Sequence, residues 1–171
     1  LTGSSMLKAQ LQGAGSLGEI QKRVLEWAQA HPEAPRVLGT NWVHSDIPAA
    51  TPTREMLDAV VADRPVYLEA FDFHSSWVNT AALSELDITR DTPDPIGGRI
   101  VRDPVTGEAT GHLLENASVN YVWSLLNKME PEVQDQHISI ALEAFTRAGI
   151  TGVVEMALEE AALESMARLK S

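Results

Sequence analysis

Histidines are the side chains in this sequence best suited to acid–base or metal chemistry, because an imidazole titrates near neutral pH and binds divalent ions through a ring nitrogen. The chain has His31, His44, His74, His112 and His137. No two of them are spaced as His-x-His, which places both rings on one strand face, or as His-x-x-x-His, which does so on a helix. A metal site would need histidines distant in sequence to converge, and the spacing gives no indication that they do. The sequence therefore predicts no metal ligands in this chain.

Four of the histidines have an ordinary structural interpretation. His31 precedes a proline at a predicted helix end and is expected at the surface, and His137 lies on a predicted helix and is expected to be exposed. His112 belongs to a predicted strand and is interpreted as a residue of a sheet face. His44 follows a tryptophan in a loop, where it could line a pocket, although a structural position is favoured.

His74 has a different setting, in the stretch FDFHSSWVNTAAL at residues 71–83. It follows an apolar run typical of a buried strand, and Trp77 and Asn79 come soon after it. Strand ends collect binding sites in α/β folds, and an aromatic ring beside hydrogen-bonding side chains is the usual lining of a small-molecule pocket. The alternative is structural: Asn79 caps the next helix, Trp77 fills the core, and His74 bonds a carbonyl. Residue types alone do not decide between the two.

Motifs for nucleophilic or nucleotide chemistry do not occur in the sequence. It contains no Gly-x-Ser-x-Gly elbow, no P-loop and no Gly-x-Gly-x-x-Gly fingerprint. A hydrolase using Asp72 and His74 with Ser75 or Ser76 is a weaker hypothesis, since the members of a triad normally converge from distant positions. Glu115 follows a predicted strand, where it could cap the next helix or project into the same pocket as His74.

Composition narrows the class of protein. The 171 residues are 44% hydrophobic and 22% charged, which is ordinary for a globular protein with its own core. The sequence has no cysteine, so disulfides, thiolate zinc sites and cysteine nucleophiles are excluded. A formal net charge of −11 argues against nucleic-acid and anionic membrane partners, which need clusters of Lys and Arg. No apolar run approaches the ~20 residues of a membrane span and no signal peptide is recognised, so a cytoplasmic location is expected.

The periodicity of apolar residues predicts a mixture of helices and strands. Helices are predicted at residues 17–30 (after a capping box at Ser16–Glu19), 51–62, 79–86, 116–128, 131–148 and 158–170. Strands are predicted at residues 36–42, 66–73, 99–102, 109–113 and 150–156, with a loop at 1–15. The fold class is therefore α+β: a small mixed sheet with a central β-hairpin and several packed helices, including pieces of a (β/α) barrel.

Six motifs follow one another along the chain. They are Thr53–Asp58 with Asp63–Leu68, then His74–Leu83, Asp94–Asp103, Thr106–Gly111, Leu113–Glu115 and Gly149–Val154. On these motifs the chain resembles the type 3 branch of the amidohydrolase superfamily, the group that contains N-substituted formamide deformylases. The resemblance covers about residues 16–158.

The resemblance implies a metal-dependent hydrolase. Members of this branch have a (β/α) barrel with an attached β-sandwich and an α+β insertion between early barrel strands. They use one or two divalent metals, typically zinc, to activate water for hydrolysis of amide-like C–N bonds. Their ligands are a His-x-His on the first barrel strand, a lysine, two further histidines and an aspartate, and none of these falls on this sequence. The chain is therefore expected to be an excerpt of a longer protein, with no metal of its own and no activity alone.

Pocket-lining residues are what the resemblance assigns to this chain. His74, Trp77 and Asn79 match the family's His-x-x-Trp-Val-Asn motif, which faces the substrate, and Glu115 matches the acidic residue after the hairpin. These four are the predicted substrate-binding residues, and no catalytic residue is predicted.

The sequence departs from the family pattern in two places. Glycine is usual directly before the motif histidine, and Phe73 stands there instead. The family's Gly-Trp-Asp loop is replaced by Gly-Thr-Asn-Trp-Val-His at residues 39–44. Both changes leave the identity of the substrate open.

The same resemblance suggests how the chain is organised. Residues 1–171 are interpreted as a single α+β domain, with about 36–128 as the insertion module and about 131–171 as a barrel-derived helix–strand–helix segment. The expected partner is a small-molecule substrate of the whole enzyme. The alternative is a stand-alone binding or dimerisation module without catalysis, in which exposed apolar surface would favour a homodimer.

Overall fold

The computed structural model describes residues 5–128, 130–154 and 160–170. Its strands are β1 (Ala9–Gln10), β2 (Val37–Trp42), β3 (Val66–Ala70), β4 (Ser75–Val78), β5 (Gly98–Arg102) and β6 (Ala109–Glu115). Its α-helices are α1 (Leu17–Ala30), α2 (Arg54–Asp58), α3 (Thr80–Glu85), α4 (Ser124–Leu126), α5 (Pro131–Arg147) and α6 (Glu160–Leu169). Short 3-10 turns span His44–Asp46 and Pro48–Ala50, and a π-helix spans Ser118–Trp123. The chain divides into two compact units, Lys8–Leu126 and the remainder.

A six-stranded mixed sheet organises the unit Lys8–Leu126, in the order β1-β2-β3-β4-β6-β5. Strands β1, β2 and β3 are parallel to one another, whereas the pairs β3–β4, β4–β6 and β6–β5 are antiparallel. Strands β5 and β6 form the hairpin predicted at residues 99–113. The mixed sheet with packed helices is therefore confirmed, and the presence of barrel pieces stays a prediction.

Apolar clusters cover both faces of this sheet, because successive residues of a strand point to opposite sides. Leu68 of β3 belongs to the cluster that includes Val24 of α1 and Trp42 of β2. Its neighbour Tyr67 belongs to the other cluster, with Val122 of the π-helix. All five side chains are buried, and burial of one such side chain contributes roughly 1.5–3 kcal/mol to stability.

The start of α1 follows the predicted signal. Ser16 Oγ accepts a hydrogen bond from the amide of Glu19 at 3.3 Å, which satisfies one of the unpaired donors of the first turn. The Glu19 carboxylate accepts from Arg23 Nε at 2.9 Å, one turn further along the helix. The serine half of the capping box and the helix bounds 17–30 are confirmed.

Two glycines permit close backbone approaches around the β5–β6 hairpin. Gly111 has a φ of +93°, and a Cβ at this position would lie 2.2 Å from the carbonyl oxygen of Val78 in β4. A Cβ on Gly98 would lie 2.2 Å from the amide nitrogen of Ala117. Because these neighbours are backbone atoms, no side chain fits at either position.

Several predicted elements of this unit have different bounds. The strand predicted at 66–73 ends at Ala70, and the chain turns into β4, which the sequence analysis missed. The helix predicted at 51–62 is limited to α2, because Thr53 has an extended backbone with a φ of −127° and the helix ends at Asp58. The predicted loop at 1–15 contains β1, and the helix predicted at 116–128 is π-helical before it becomes α4.

The described part of the other unit contains helices α5 and α6. The Asp135 carboxylate on α5 accepts hydrogen bonds from the Ser165 hydroxyl and from Arg168 Nη2, the latter at 2.8 Å. These bonds lower the pKa of Asp135. Helix α5 ends before Gly149, whose φ of +78° is the predicted stop. Neither of these helices, nor any other within the described ranges, has the length and apolarity needed to cross a bilayer.

The strand predicted at 150–156 is not formed over its described part, residues 150–154, and its last two residues lie outside the described residues. A strand needs a hydrogen-bonded neighbour, and the backbone here is irregular. Val153 is 56% exposed and Val154 is 84% exposed. The prediction of a buried strand is therefore wrong over residues 150–154, because the described part of this unit contains no neighbouring strand to pair with.

Candidate functional site

The site begins at a four-residue turn between β3 and β4. The amide of His74 donates to Asp72 Oδ1 at 2.9 Å, and the amide of Phe73 donates to the Ala70 carbonyl at 3.2 Å. Such side-chain-to-backbone bonds are how aspartate stabilises tight turns. His74 therefore lies just beyond the carboxyl end of β3, as predicted, but it leads directly into an antiparallel strand.

Strand pairing brings His74 and Glu115 together although they are 41 residues apart in sequence. Ser75 of β4 lies opposite Leu114 of β6, and the Glu115 amide donates to the His74 carbonyl at 2.7 Å. The side chains meet at 2.8 Å, between His74 Nδ1 and Glu115 Oε2. They are 68% and 58% exposed. The hydrogen bond and the negative charge of Glu115 raise the pKa of His74 above its ordinary value.

Two residues at this site have left-handed backbone conformations. Phe73, directly before His74, has a φ of +62°, and Glu115 itself has a φ of +50°. For a residue with a Cβ, this region costs roughly 1–2 kcal/mol. Residues held in such conformations cluster at binding and catalytic sites. Glycine at the position of Phe73 would avoid this cost, because it has no Cβ.

Trp77 lies three residues after His74, within β4, and is fully buried. Its ring packs edge-on against Trp42 with centroids 5.7 Å apart. Its Nε1 donates to the Thr53 carbonyl at 2.9 Å. Trp77 thus has the core position that was the structural alternative in the sequence analysis, and its contact with substrate stays a prediction.

Asn79 is also fully buried and holds the end of β4 in place. Its Oδ1 accepts from the amides of Val66 and Ala82, at 3.0 and 2.9 Å. Its Nδ2 donates to the carbonyls of Val61 and Arg64, at 2.9 and 3.0 Å. The predicted helix cap is confirmed, because Ala82 is in the first turn of α3. All four hydrogen-bonding positions of this amide are occupied by backbone, and substrate contact by Asn79 stays a prediction.

The serine–histidine–aspartate grouping is not assembled by the described contacts. The ring of His74 bonds Glu115, and Asp72 Oδ1 accepts from a backbone amide. The Ser76 hydroxyl bonds that of Ser118 at 2.6 Å. Ser75 Oγ is buried and has no hydrogen-bond partner among the residues that the structure describes. The geometry therefore contradicts the weaker hypothesis of a local triad.

A second pair of side chains in the same unit consists of two histidines. The sequence did not predict this contact. His44 Nε2 lies 3.4 Å from His112 Nε2, and the two residues are 68 positions apart. His112 lies on β6 opposite Trp77, which confirms its interpretation as a sheet-face residue. Burial, and secondarily the charge of His44, lower the pKa of His112 to about 4. No local spacing pattern signals this contact, because it depends on the strand order.

Comparison with known proteins identifies the family. The model of the amidohydrolase family matches residues 2–171. The chain belongs to the amidohydrolase family. The resemblance inferred from the ordered motifs is thereby confirmed.

Curated members of the amidohydrolase family are similar to the chain along most of its length. YtcJ of Bacillus subtilis, which is named as an amidohydrolase, is 33% identical over 157 residues, covering 88% of this chain and 28% of the relative. The N-substituted formamide deformylase of Arthrobacter pascens is 39% identical over 100 residues, covering 56% of this chain and 18% of the enzyme. The chain thus spans less than a third of the length of each of these two relatives.

A solved structure shows a similar fold. The uncharacterized metal-dependent hydrolase from Pyrococcus horikoshii matches with a TM-score of 0.69 at 24% identity. The match covers 99% of this chain and 31% of that chain. At this identity the likeness concerns the fold alone.

The described amidohydrolase residues do not fit the catalytic metal that the family implies. Within residues 5–128, 130–154 and 160–170, no three or more His, Cys, Asp or Glu side chains converge as metal ligands. The pairs His44–His112 and His74–Glu115 each bring two possible ligands together. No step of a metal-assisted reaction is therefore derived from these residues.

Proposed function

We propose that this chain contributes a wall of the substrate pocket of a metal-dependent hydrolase that acts on amide-like C–N bonds. The chain is an insertion region with barrel-derived parts of a longer polypeptide, the metal ligands lie outside it, and it is inactive alone. The family membership and the short span relative to curated relatives support this proposal. The exposed His74–Glu115 pair beyond the end of β3 is the observation that carries it.

The chemistry of the pair suits the recognition of an amide. When Nδ1–H of His74 donates a hydrogen bond to the Glu115 carboxylate, the ring presents its other nitrogen, Nε2, to the surroundings. A raised pKa favours the protonated ring, in which Nε2–H donates a charge-assisted hydrogen bond. The carbonyl oxygen of an amide is a suitable acceptor. His74 is then a substrate-binding residue, and Glu115 is the residue that orients its ring.

Steady-state kinetics of the whole protein on a panel of amides tests the role of His74. His74→Ala removes one charge-assisted hydrogen bond to the substrate, so it is expected to lower kcat/KM by about tenfold to a hundredfold. Glu115→Gln is expected to have a smaller effect in the same direction. Glu26→Gln, which changes another exposed carboxylate in the same unit, is the matched control. Wild-type kinetics for His74→Ala across the panel would overturn the pocket role.

A second candidate is a stand-alone binding or dimerisation module. It is favoured by apolar side chains left exposed on α5 and α6: Val133, Leu142, Leu163, Met166 and Leu169. Apolar side chains left exposed favour self-association where they form a patch. Sedimentation of the 171-residue chain separates the two candidates when combined with the assay of the whole protein. A stable dimer together with a whole protein that hydrolyses no amide would favour the module.

A further inference from the structure

Two imidazoles from distant parts of the chain converge on one another. His44 is in the 3-10 turn that follows β2, and His112 is in the middle of β6. Their Nε2 atoms are 3.4 Å apart, and their ring centroids are 5.3 Å apart with an angle of 51° between the planes. The pair takes no part in the proposed recognition of an amide.

This geometry matches the spacing of two ligands of one ion. Two imidazole nitrogens bound to a tetrahedral ion at about 2.05 Å lie about 3.3 Å apart, with ring centroids about 5.2 Å apart. A head-on N–H···N bond of 3.4 Å would instead separate the centroids by about 5.7 Å, and ordinary hydrogen bonds from N–H are shorter than this. The observed separation of 5.3 Å is close to the value for two rings that bind one ion.

The surroundings hold both rings in this arrangement. The indole of Trp42 lies 4.6 Å from the ring of His44 and 6.1 Å from that of His112, measured between centroids. Trp42 is itself fixed by a hydrogen bond from Nε1 to the Leu68 carbonyl at 3.1 Å. His112 is 7% exposed, so the surrounding side chains restrict the movement of its ring. Ligands held by packing lose little freedom when an ion binds.

We propose that His44 Nε2 and His112 Nε2 together bind one divalent transition-metal ion, with water completing its coordination. Imidazole nitrogens select ions of intermediate softness, so the order of affinity is Cu²⁺ above Ni²⁺ and Zn²⁺. The net charge of −11 adds a general attraction for cations. Two protein ligands are fewer than a catalytic or structural zinc site uses, so this is an exchangeable site. The proposal is independent of the proposed function, and it differs from the sequence-based expectation of no metal in this chain.

Titration of the metal-free 171-residue chain with Cu²⁺, followed by electron paramagnetic resonance, tests the site. The wild type is expected to bind one equivalent with hyperfine structure from two nitrogens. His44→Gln and His112→Gln are each expected to weaken binding by about tenfold or more, since each removes one of two ligands. His74→Gln is the matched control and is expected to keep both the stoichiometry and the two-nitrogen spectrum. Thermal unfolding with Ni²⁺ gives a second readout, because an ion that binds only the folded chain raises Tm.

Metal binding by His44 and His112 has clear contrary outcomes in these experiments. Binding that is unchanged in the His44→Gln/His112→Gln double variant, or that is lost in His74→Gln, overturns the proposal. A wild type that binds no Cu²⁺ overturns it as well. If His112→Gln does not fold because the residue is buried, His44→Gln alone decides, since His44 is only partly buried. A Ni²⁺-dependent rise in Tm that is present in the wild type and absent in His44→Gln supports the site.

Discussion

The four residues predicted to bind substrate fall into two regions with opposite physical character. His74 and Glu115 form an exposed rim at the hairpin turn, in contact through one charge-assisted hydrogen bond. Trp77 and Asn79 form a buried base in which neither side chain is accessible to solvent. The two regions therefore have different roles. The buried base fixes the backbone of β4, and the exposed rim presents polar atoms to the surroundings.

This difference predicts how substitutions separate stability from activity. A change in the base removes buried hydrogen bonds or leaves a cavity, so it acts on the free energy of unfolding. A change in the rim alters groups that water solvates equally well, so it acts on binding and kinetics with little effect on folding.

Asn79→Ala is expected to have the largest effect on stability. It removes all four hydrogen bonds of the amide and leaves the Val66 amide buried without its Asn79 partner. The free energy of unfolding should fall by about 3–5 kcal/mol, as expected when a buried network is broken. Urea denaturation followed by circular dichroism measures it. Asn120→Ala, at an exposed asparagine, is the matched control, and a loss below about 1 kcal/mol for Asn79→Ala would contradict the division into rim and base.

Trp77→Phe is expected to have the next largest effect. Phenylalanine retains an aromatic ring but leaves a gap beside Trp42 and loses the hydrogen bond to the Thr53 carbonyl. A decrease of about 2–3 kcal/mol combines the cavity and the lost hydrogen bond. Trp27→Phe provides the comparison, because Trp27 is only partly buried and stacks on His31 at the end of α1. Equal losses in the two variants would contradict a special role for Trp77.

Phe73→Gly is expected to stabilise the protein slightly. The substitution relieves a left-handed backbone worth roughly 1–2 kcal/mol, while the greater freedom of glycine in the unfolded chain costs about 0.5–1 kcal/mol. The net gain should be about 0.5–1 kcal/mol, measured by the same denaturation experiment. Phe71→Gly, at an exposed phenylalanine of the same turn without a positive φ, should be destabilising. A loss of stability in Phe73→Gly would show that its ring makes a compensating contact.

Breaking the rim pair is expected to change the pKa of His74 and to leave the free energy of unfolding almost unchanged. By NMR, the pKa of His74 should lie above 6.5 in the wild type and move down in Glu115→Gln. A raised pKa in the folded state means that the pair stabilises the protein below the unfolded pKa, and that this contribution is lost as pH rises through the folded pKa. Since both side chains are exposed, the denaturation midpoint should hardly change. An unshifted pKa in Glu115→Gln would show that another group holds the His74 proton.

Local signals in the sequence predicted the elements that are stabilised locally. The Ser16 cap starts α1, Asn79 caps α3, and the glycine-containing loop separates β5 from β6, all as predicted. The turn at residues 71–74 was missed because its left-handed position is occupied by phenylalanine, which carries no turn signal. The apolar run before it therefore seemed to continue as one strand.

Contacts that depend on strand order could not be predicted in the same way. His74 and Glu115 were each selected as candidates, but their hydrogen bond depends on the pairing of β4 with β6. The approach of His44 to His112 depends on β2, β3, β4 and β6 lying in that order across the sheet. Neither contact has a local spacing pattern in the sequence. The individual residues could therefore be identified from the sequence, but the contacts between them could be identified only from the fold.

The close approach at Gly111 limits how this hairpin can vary. A Cβ at that position would collide with the Val78 carbonyl, so a saturation library should accept no residue except glycine there. A slip of β6 by one residue would bring the side chain of Thr110 or His112 against the same carbonyl oxygen and is sterically forbidden. Because glycine has no Cβ, Gly111 fits beside Val78 in one register only. This contact at the far end of β4 therefore fixes the register that places His74 beside Glu115.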